Sequence, residues 1–421
     1  MMKRDTHTKL FFSLILTTIF SCIDEIPLEQ ESFESLLVVE ATITNENKLQ
    51  EILVSRTFKF GDSIPSQESG ATVKVTDDMM NTYLFSEISS GKYQSQVAFA
   101  AQPNRNYTLS VETSDGKSYS SSDAKLSAET NIDNFYVERD FNENGVEGVS
   151  IYIDSYDPTN SSKFYRHEYE ETYKIIVPFY SPLEMISNDV EFPIFPEDQP
   201  EWETIQDLVD FVVTTQFRPE QERICYNTIK STNILLASTV GLLEDKLEKH
   251  RIRFLGRDNT IISHRYSILV RQYVQSLEAY SYYETLKTQS LSESVFSETQ
   301  PGFLIGNLFS QNNANERVIG FFEVVPVDEK RVFFNYADLF VDEDLPPYYI
   351  SCGDFIIPDV IKADIATGIW LSSPLADDVK YRNHQYFDEN PGGSYPYRLV
   401  FDLCGDCTFL GDNTVPDFWV D

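Results

Sequence analysis

The hydrophobic pattern of this chain consists largely of short segments in which apolar and polar residues alternate, as they do in half-buried β-strands. Between residues 36 and 126, turns rich in Ser, Gly and Asp separate such segments at intervals typical of a β-sandwich. The segments are 37–43, 51–55, 71–75, 82–85 and 107–111. The pattern predicts an N-terminal sandwich over 35–128 with an immunoglobulin-like or fibronectin-III-like architecture.

Alternating segments return further along the chain and predict a second domain over 129–421. They are 149–153, 164–169, 266–273, 318–324 and 331–334. Two stretches without this alternation, at about 176–262 and 336–421, are expected to be insertions. The predicted fold is therefore mainly β, with two β-sandwich domains (immunoglobulin/fibronectin-III-like), the second carrying helical and loop insertions.

Two helices are predicted in the second domain. One covers 204–217 and lies inside the first insertion. The other covers 276–291, where four apolar or aromatic residues recur at helical spacing and predict a face turned towards the core. These residues are Leu277, Tyr280, Tyr283 and Leu286.

The start of the chain has the pattern of a secretory leader. Three basic residues precede an apolar run over 10–20, and Ser21 and Cys22 follow it. The run is too short to cross a bilayer as a helix, which needs about 20 apolar residues. We predict a lipoprotein signal peptide over 1–21, acylation of Cys22, and an acidic tether over 22–34. The alternatives are an ordinary signal peptide and a cytosolic protein with an apolar start.

Composition narrows the range of partners. The formal net charge is −34, so nucleic acid and anionic lipid headgroups would be repelled. Tyr and Phe are abundant, with 24 and 30 residues, and this favours strands with aromatic cross-strand pairs. We expect no nucleic-acid partner. Cationic ligands and divalent ions suit the charge, but solubility alone is the favoured interpretation of it.

Four cysteines remain after Cys22, and an even number in an exported chain indicates disulfides. They are Cys225, Cys352, Cys404 and Cys407. Three pairings are open. The Cys404-Gly-Asp-Cys407 spacing also occurs in zinc half-sites and redox motifs, but the sequence has no second Cys-x-x-Cys and no histidine nearby. Structural disulfides are the favoured interpretation.

One segment fits the opening of a calcium loop. Asp140, Asn142 and Asn144 supply oxygen atoms at alternate positions, and Gly145 follows them. The twelfth position of such a loop needs a bidentate Glu, but Ile151 occupies it. A tight hairpin turn is the favoured interpretation, with calcium as the alternative.

Catalytic motifs are not found in the sequence, and no catalytic residue, metal ligand or cofactor is predicted apart from this calcium alternative and the lipid on Cys22. The five histidines are scattered, and acidic pairs such as Glu197-Asp198 are expected by chance among 67 acidic residues. Residues 181–222 carry eleven acidic residues and one base, Arg218. The aromatic side chains in this segment either bind a basic peptide, a sugar or a partner barrel, or they seal the insertion onto the sandwich. They are Phe192, Phe195 and Trp202.

Residues 404–407, 411–413 and 416–419 form a distinctive pattern of Cys, Gly, Asp and aromatic residues in the tail. This pattern resembles the C-terminal signature of the Bacteroidota family called domain of unknown function 4249 (DUF4249). Segments 69–73, 91–93, 107–109, 270–273, 278–280 and 320–322 agree with other parts of the family pattern. Phe20, in place of a small residue before Cys22, and the 100–103 turn without glycine depart from it. The resemblance carries no catalytic residue.

The resemblance implies an outer-membrane lipoprotein encoded beside a TonB-dependent transporter. Asp24 and Glu25, which follow Cys22 after Ile23, resemble the signal that sends such lipoproteins to the cell surface; the alternative is that they are two charges of a flexible linker. We therefore expect a lipid-anchored, non-enzymatic binding subunit that helps a TonB-dependent barrel take up a nutrient. A structural or assembly factor of the outer membrane is the first alternative, and a surface hydrolase is the second.

Overall fold

The structure, a computed structural model, describes residues 35–58, 66–291, 304–390 and 393–421. Cys22, the leader and the tether lie outside these residues. The described chain is mainly β, which confirms that part of the predicted fold class. All ten strands predicted above are present, with ends that differ by a few residues.

The strands up to residue 176 are β1 (Leu37–Thr44), β2 (Glu51–Arg56), β3 (Ser66–Gln67), β4 (Thr72–Asp77), β5 (Thr82–Ser89), β6 (Lys92–Ser95), β7 (Asn106–Glu112), β8 (Ser118–Ser121), β9 (Ala124–Lys125), β10 (Ile132–Phe141), β11 (Glu147–Asp157) and β12 (Phe164–Ile176). The later strands are β13 (Leu183–Ser187), β14 (Val213–Phe217), β15 (Ile224–Lys230), β16 (Leu235–Ser238), β17 (Asp245–Gly256), β18 (Arg265–Val274), β19 (Leu308–Ser310), β20 (Val318–Val325), β21 (Val327–Asn335), β22 (Lys362–Ala363), β23 (Trp370–Ser372), β24 (His384–Asp388) and β25 (Arg398–Phe401).

The α-helices are α1 (Ile205–Val212), α2 (Leu277–Leu291), α3 (Tyr336–Leu339), α4 (Pro374–Lys380) and α5 (Asp402–Gly405). Short 3-10 helices cover Pro196–Asp198, Thr260–Ile262 and Cys407–Phe409.

The first sheet has eleven strands and is nearly closed. Its order is β19-β8-β7-β4-β5-β6-β2-β1-β20, with β3 beside β2 and β9 beside β7. The two ends meet at Asn307, whose side-chain amide both donates to Phe322 O and accepts from Phe322 N, each at 2.8 Å. Alternate residues such as Val39, Ile52 and Leu109 point inwards and form the core.

This first sheet includes two strands from beyond residue 300. β20 pairs in parallel with β1, with Leu37 opposite Val318. A parallel pair needs a long crossover connection, and here the whole middle part of the chain lies between the two strands. The sheet therefore extends beyond the 35–128 segment.

The middle part contains two sheets that share one hydrophobic core. One is β10-β11-β17, and the other is β15-β12-β18-β21 with β16 also on β12. Ile151 and Ile153 of the first of these sheets and Tyr173, Ile268 and Phe334 of the second belong to the same buried cluster. Strand β18 is buried along most of its length because it is central in its sheet.

The predicted helix at 276–291 is confirmed as α2, but its inward face differs from the prediction. Ala279 and Tyr282 are buried against Phe321 of β20, whereas Leu277 is exposed. Tyr283 and Leu286 are partly buried in the same cluster. The helix therefore packs on the first sheet, where the middle sheets adjoin it.

The predicted helix at 204–217 is too long. Thr204 caps α1 by accepting a hydrogen bond from Asp207 N, and the helix ends at Val212. The next five residues form β14 instead, paired with β13. Val213, Thr214 and Thr215 are β-branched and favour a strand when a partner strand is available.

Candidate functional site

Residues 181–222 and 352–406 together form a separate lobe, which we call the insertion lobe. Its core combines Leu208, Val209 and Val212 of α1 with residues from the C-terminal part of the chain. The latter include Val360, Trp370, Leu375, Tyr386, Tyr397 and Leu399. Residues 224–256, which were expected within the first insertion, contain β15, β16 and β17 of the middle sheets. Parts of the two predicted insertions, 181–222 and 352–406, thus form one structural unit, whereas the rest belongs to the middle sheets and their core.

Arg218 holds the two halves of the insertion lobe together. Its side chain is buried, Nε donates to Ser181 O at 3.0 Å, and Nη2 donates to Gln385 Oε1 at 3.0 Å. Nη1 pairs with Glu222. The single base of 181–222 is therefore used inside the lobe and does not neutralise its surface.

The surface of the insertion lobe is strongly acidic. Nine of the eleven acidic residues in 181–222 are exposed. They are Asp189, Glu191, Glu197, Asp198, Glu201, Glu203, Asp207, Asp210 and Glu220. Within the described chain, the one ion pair made by these nine is Asp189 with Lys380, at 2.7 Å. The remaining charges face solvent and create a negative potential around the lobe.

The three predicted aromatic residues are divided between the core and the surface. Phe192 packs on the core of the insertion lobe itself, whose described residues include none from the middle sheets. Phe195 and Trp202 are 46% and 50% exposed, and Phe217 at the end of β14 is 77% exposed. The sequence did not single out Phe217, because it lay in a predicted helix. Three aromatic side chains thus stand on the acidic surface, available to a partner.

A cavity of about 330 Å³ lies between β13 and the α4–β24 segment of the insertion lobe. Its lining includes Ser187, Arg382 and His384. His384 Nδ1 lies 2.9 Å and 3.1 Å from the two carboxylate oxygens of Asp378, which fixes the orientation of the ring. Ser187 Oγ accepts a hydrogen bond from Asp189 N at 3.2 Å, so this hydroxyl stabilises a turn.

The basic side chains that line this cavity are paired with carboxylates. Arg382 Nη2 lies 3.3 Å from Asp406 Oδ2, and Lys380 pairs with Asp189. Asp406 is fully buried and also accepts from Thr408 N at 2.8 Å, which caps the 3-10 helix Cys407–Phe409. The arrangement provides an oriented histidine and a set of ion pairs suited to a small polar ligand.

The cysteines form two disulfides, Cys225–Cys407 and Cys352–Cys404. The favoured interpretation is therefore confirmed, and the pairing left open by the sequence is now assigned. The two cysteines of the Cys-Gly-Asp-Cys motif belong to different bridges. One bridge attaches the tail to β15, and the other closes a loop of the insertion lobe.

Close packing explains the glycines of the tail signature. A Cβ at Gly405 would lie 2.9 Å from Gln385 Cβ and 3.0 Å from Val400 Cγ2. Asp412 and Tyr226 exchange backbone hydrogen bonds at 2.9 Å and 2.8 Å, and the Trp419 ring lies 4.8 Å from that of Tyr226. The signature residues thus fix the C-terminus onto β15.

The calcium candidate residues lie in the hairpin between β10 and β11. Asn142 Oδ1 accepts from Asn144 N at 3.0 Å and from Val146 N at 2.9 Å, which stabilises the turn. Asp140 accepts from Phe141 N at 2.8 Å and from the Tyr152 hydroxyl. The side-chain oxygens of Asp140 and Asn142 are therefore engaged in hydrogen bonds of the hairpin.

Two of the scattered histidines meet inside the protein. The rings of His167 and His250 are 5.1 Å apart, and His167 is buried with its Nε2 3.1 Å from Gln272 Oε1. Burial lowers the pKa of His167 to about 3, with a further contribution from His250. Burial also lowers the pKa of His250. The two histidines lie on strands of different sheets, β12 and β17, and they meet because these sheets pack together. Their positions along the sequence did not indicate this contact.

Two further observations concern the described residues alone. Their His, Cys, Asp and Glu side chains form no group of three or more that is placed to hold a metal ion. None of their helices combines the length and the apolar character required to cross a membrane.

Comparison with curated proteins finds no match to this chain. Comparison with protein families matches residues 23–331 to the family described as domain of unknown function (DUF4249). The match covers well over half of the chain and includes the 181–222 half of the insertion lobe, whereas the 352–406 half follows it in sequence. The chain belongs to the DUF4249 family.

Proposed function

We propose that this protein is a lipid-anchored protein of the outer-membrane surface that acts as a non-enzymatic binding subunit of a TonB-dependent transporter. The observation that carries the proposal is the insertion lobe. It has its own core, a disulfide and a buried arginine, and its 181–222 part presents three exposed aromatic residues on an acidic surface. Rigid scaffolds commonly present binding surfaces on inserted segments in this way.

The remaining support comes from the sequence. The basic and apolar start of the chain followed by Cys22 is typical of a lipoprotein signal, which would attach the protein to a membrane. The net charge of −34 keeps the body of the protein away from anionic headgroups. A long acidic tether and an acidic body together favour a protein that contacts other proteins beside the membrane.

We also infer that the two middle sheets correspond to the fibronectin-III-like sandwich predicted from the sequence. Their shared core and their three-stranded and five-stranded composition support this assignment. The nearly closed first sheet would then be the N-terminal partner domain.

Two alternative functions are each supported by a specific observation. An assembly factor of the outer membrane would use the same acidic and aromatic surface to bind proteins, without a small ligand. A surface hydrolase would use the oriented His384–Asp378 pair, which resembles the base and the orienting acid of many hydrolases. The hydrolase is the weaker alternative because the nearby Ser187 hydroxyl stabilises a turn.

Affinity purification after extraction with a mild detergent tests the proposal. A barrel transporter recovered in stoichiometric amount would support it, and assembly machinery in its place would support the first alternative. A matched variant, Trp202→Ala with Phe195→Ala, should reduce recovery of the barrel while leaving the melting temperature unchanged. Full recovery with this variant would exclude the aromatic surface as the contact.

A further inference from the structure

Strand β14 is an edge strand whose outer side is uncovered. β13 and β14 form a two-stranded sheet of their own. Backbone bonds from Arg218 N to Pro182 O and from Asn188 N to Val212 O mark hydrogen-bonded pairs at both ends of the ladder. Since such pairs alternate, Thr214 and Gln216 direct their backbone groups towards β13, and Val213, Thr215 and Phe217 direct theirs outwards.

The outward groups of Thr215 and Phe217 are available for another strand. Thr214, Thr215, Gln216 and Phe217 are all exposed. Among the described residues, the Val213 N–H donates to Val209 O of α1, whereas no backbone hydrogen bond reaches Thr215 or Phe217 on the outer side of β14. Natural edge strands are usually protected by a charge, a proline or a bulge. The sequence from Val213 to Phe217 contains no charged residue and no proline. Its register with β13 is regular, so the strand has no bulge either.

The surroundings of this edge select the charge of its partner. The only base between 181 and 222 is buried in the lobe, and nine carboxylates of this segment are exposed, including Asp210 and Glu220, which flank β14 in sequence. A second copy of this chain would bring the same negative charge to the edge and would be repelled. A cationic strand would be attracted, because complementary charge both steers and orients binding.

From this geometry we infer that β14 binds an extended, lysine- or arginine-bearing segment of a partner protein, which adds to the β13–β14 sheet as a third strand. Backbone hydrogen bonds to Thr215 and Phe217 supply affinity, as in other cases of strand addition. The carboxylates supply selectivity, and the exposed Phe217 ring supplies an apolar contact. The inference rests on the proposed binding function and specifies how the partner is held.

The test uses the full-length chain with Cys22→Ala, which removes the acylation site, and a synthetic peptide of about eight residues that alternates lysine with valine or threonine. Calorimetry at low salt should show binding, and amide exchange should slow at 213–217. Thr215→Pro removes the outward amide without touching the β13 ladder, and it should weaken binding at least about tenfold. Thr215→Val keeps the amide and should bind as the parent does.

A second variant keeps the test valid if Thr215→Pro fails to fold. Thr215→Lys keeps the backbone amide but places a positive charge on the edge, and it should weaken the same peptide several-fold. A peptide with glutamate in place of lysine should not bind. Equal binding by parent, Thr215→Pro and Thr215→Lys would overturn the inference, as would no binding by the parent or self-association of the parent that Thr215→Pro abolishes. Peptide binding without recovery of a transporter would uphold the edge and refute the proposed function.

Discussion

Arg166 Nη2 lies 2.7 Å from Glu323 Oε1, and this ion pair joins β12 of the middle sheets to β20 of the first sheet. Both side chains are buried. The guanidinium group also lies between the rings of Tyr273 and Tyr283, at 4.4 Å and 4.8 Å. The two parts of the chain are therefore connected through charge as well as through the β1–β20 pairing.

Loss of one partner of this pair should be costly. Glu323→Gln leaves the buried arginine without its main counter-charge, so we expect the free energy of unfolding to fall by about 3 kcal/mol. Urea denaturation followed by tryptophan fluorescence measures the change. Lys246→Gln, which removes the exposed pair with Glu248, is the control and should change stability by less than about 0.5 kcal/mol. Equal effects of the two substitutions would contradict the role of the buried pair.

Much of the fold was readable from the sequence because strand signals are local. The alternating segments fixed the positions of ten strands, and the even cysteine count indicated disulfides. The joining of 181–222 with 352–406 was not readable, since Val212 and Leu399 meet only through tertiary packing. The same reason hid the end of α1 at Val212, because β14 depends on the presence of β13.

The candidate site was predictable only in part. Acidity and aromatic residues pointed to the insertion, and Phe195 and Trp202 are indeed exposed. The burial of Arg218 had no signal in the sequence, although it removes the one base of 181–222 from the lobe surface. His384 and Asp378 are six residues apart in sequence, and the turn after α4 brings their side chains together. Because they form no known sequence motif, the sequence did not indicate this contact.

Arg218 is expected to stabilise the insertion lobe locally. Arg218→Met keeps the apolar stem but leaves Ser181 O and Gln385 Oε1 without their donor, so opening of the lobe should become easier by about 1–3 kcal/mol. Amide exchange should accelerate in α1 and β24 and stay unchanged in β1 and β7. Uniform acceleration across all sheets would show that the lobe is not a separate unit of stability.

The disulfide between Cys352 and Cys404 closes a loop of 52 residues. Replacing both cysteines by serine should destabilise the protein by about 4 kcal/mol if loop closure dominates. Differential scanning calorimetry should show a lower melting temperature, and the reducing agent should lower the melting temperature of the parent in the same direction. A zinc chelator should leave the parent unchanged, and a chelator effect would point to a metal.

Acidification should destabilise the protein through His167. Burial holds its folded-state pKa at about 3, below the unfolded value of about 6.5. The unfolded chain therefore takes up a proton first, so stability contributed by the neutral ring is present above pH 6.5 and is lost as the pH falls towards 3. The slope of the free energy of unfolding against pH should include about 1 kcal/mol per pH unit from this residue between pH 6.5 and 5 on average, and it should approach about 1.4 kcal/mol per unit near pH 5.

His167→Gln is the matched variant for this effect. Glutamine retains a polar side chain near Gln272 and does not titrate. The number of protons taken up on unfolding between pH 6.5 and 5 should therefore decrease by about one, and the slope of the free energy of unfolding against pH should fall accordingly. The pH dependence of the urea midpoint, converted with the measured m-value, provides the comparison. An unchanged slope would assign the acid sensitivity to other groups, such as His250 or His264, whose pKa values are also lowered by burial.

The anchoring of this acidic β protein at a membrane surface is tested most directly by the mass of its N-terminal peptide in the native host. Proteolysis followed by mass spectrometry should find a peptide that begins at Cys22 and carries acyl chains, and protease added to whole cells should release the remainder. An intact leader, or a mature N-terminus without fatty acid, would contradict the proposal.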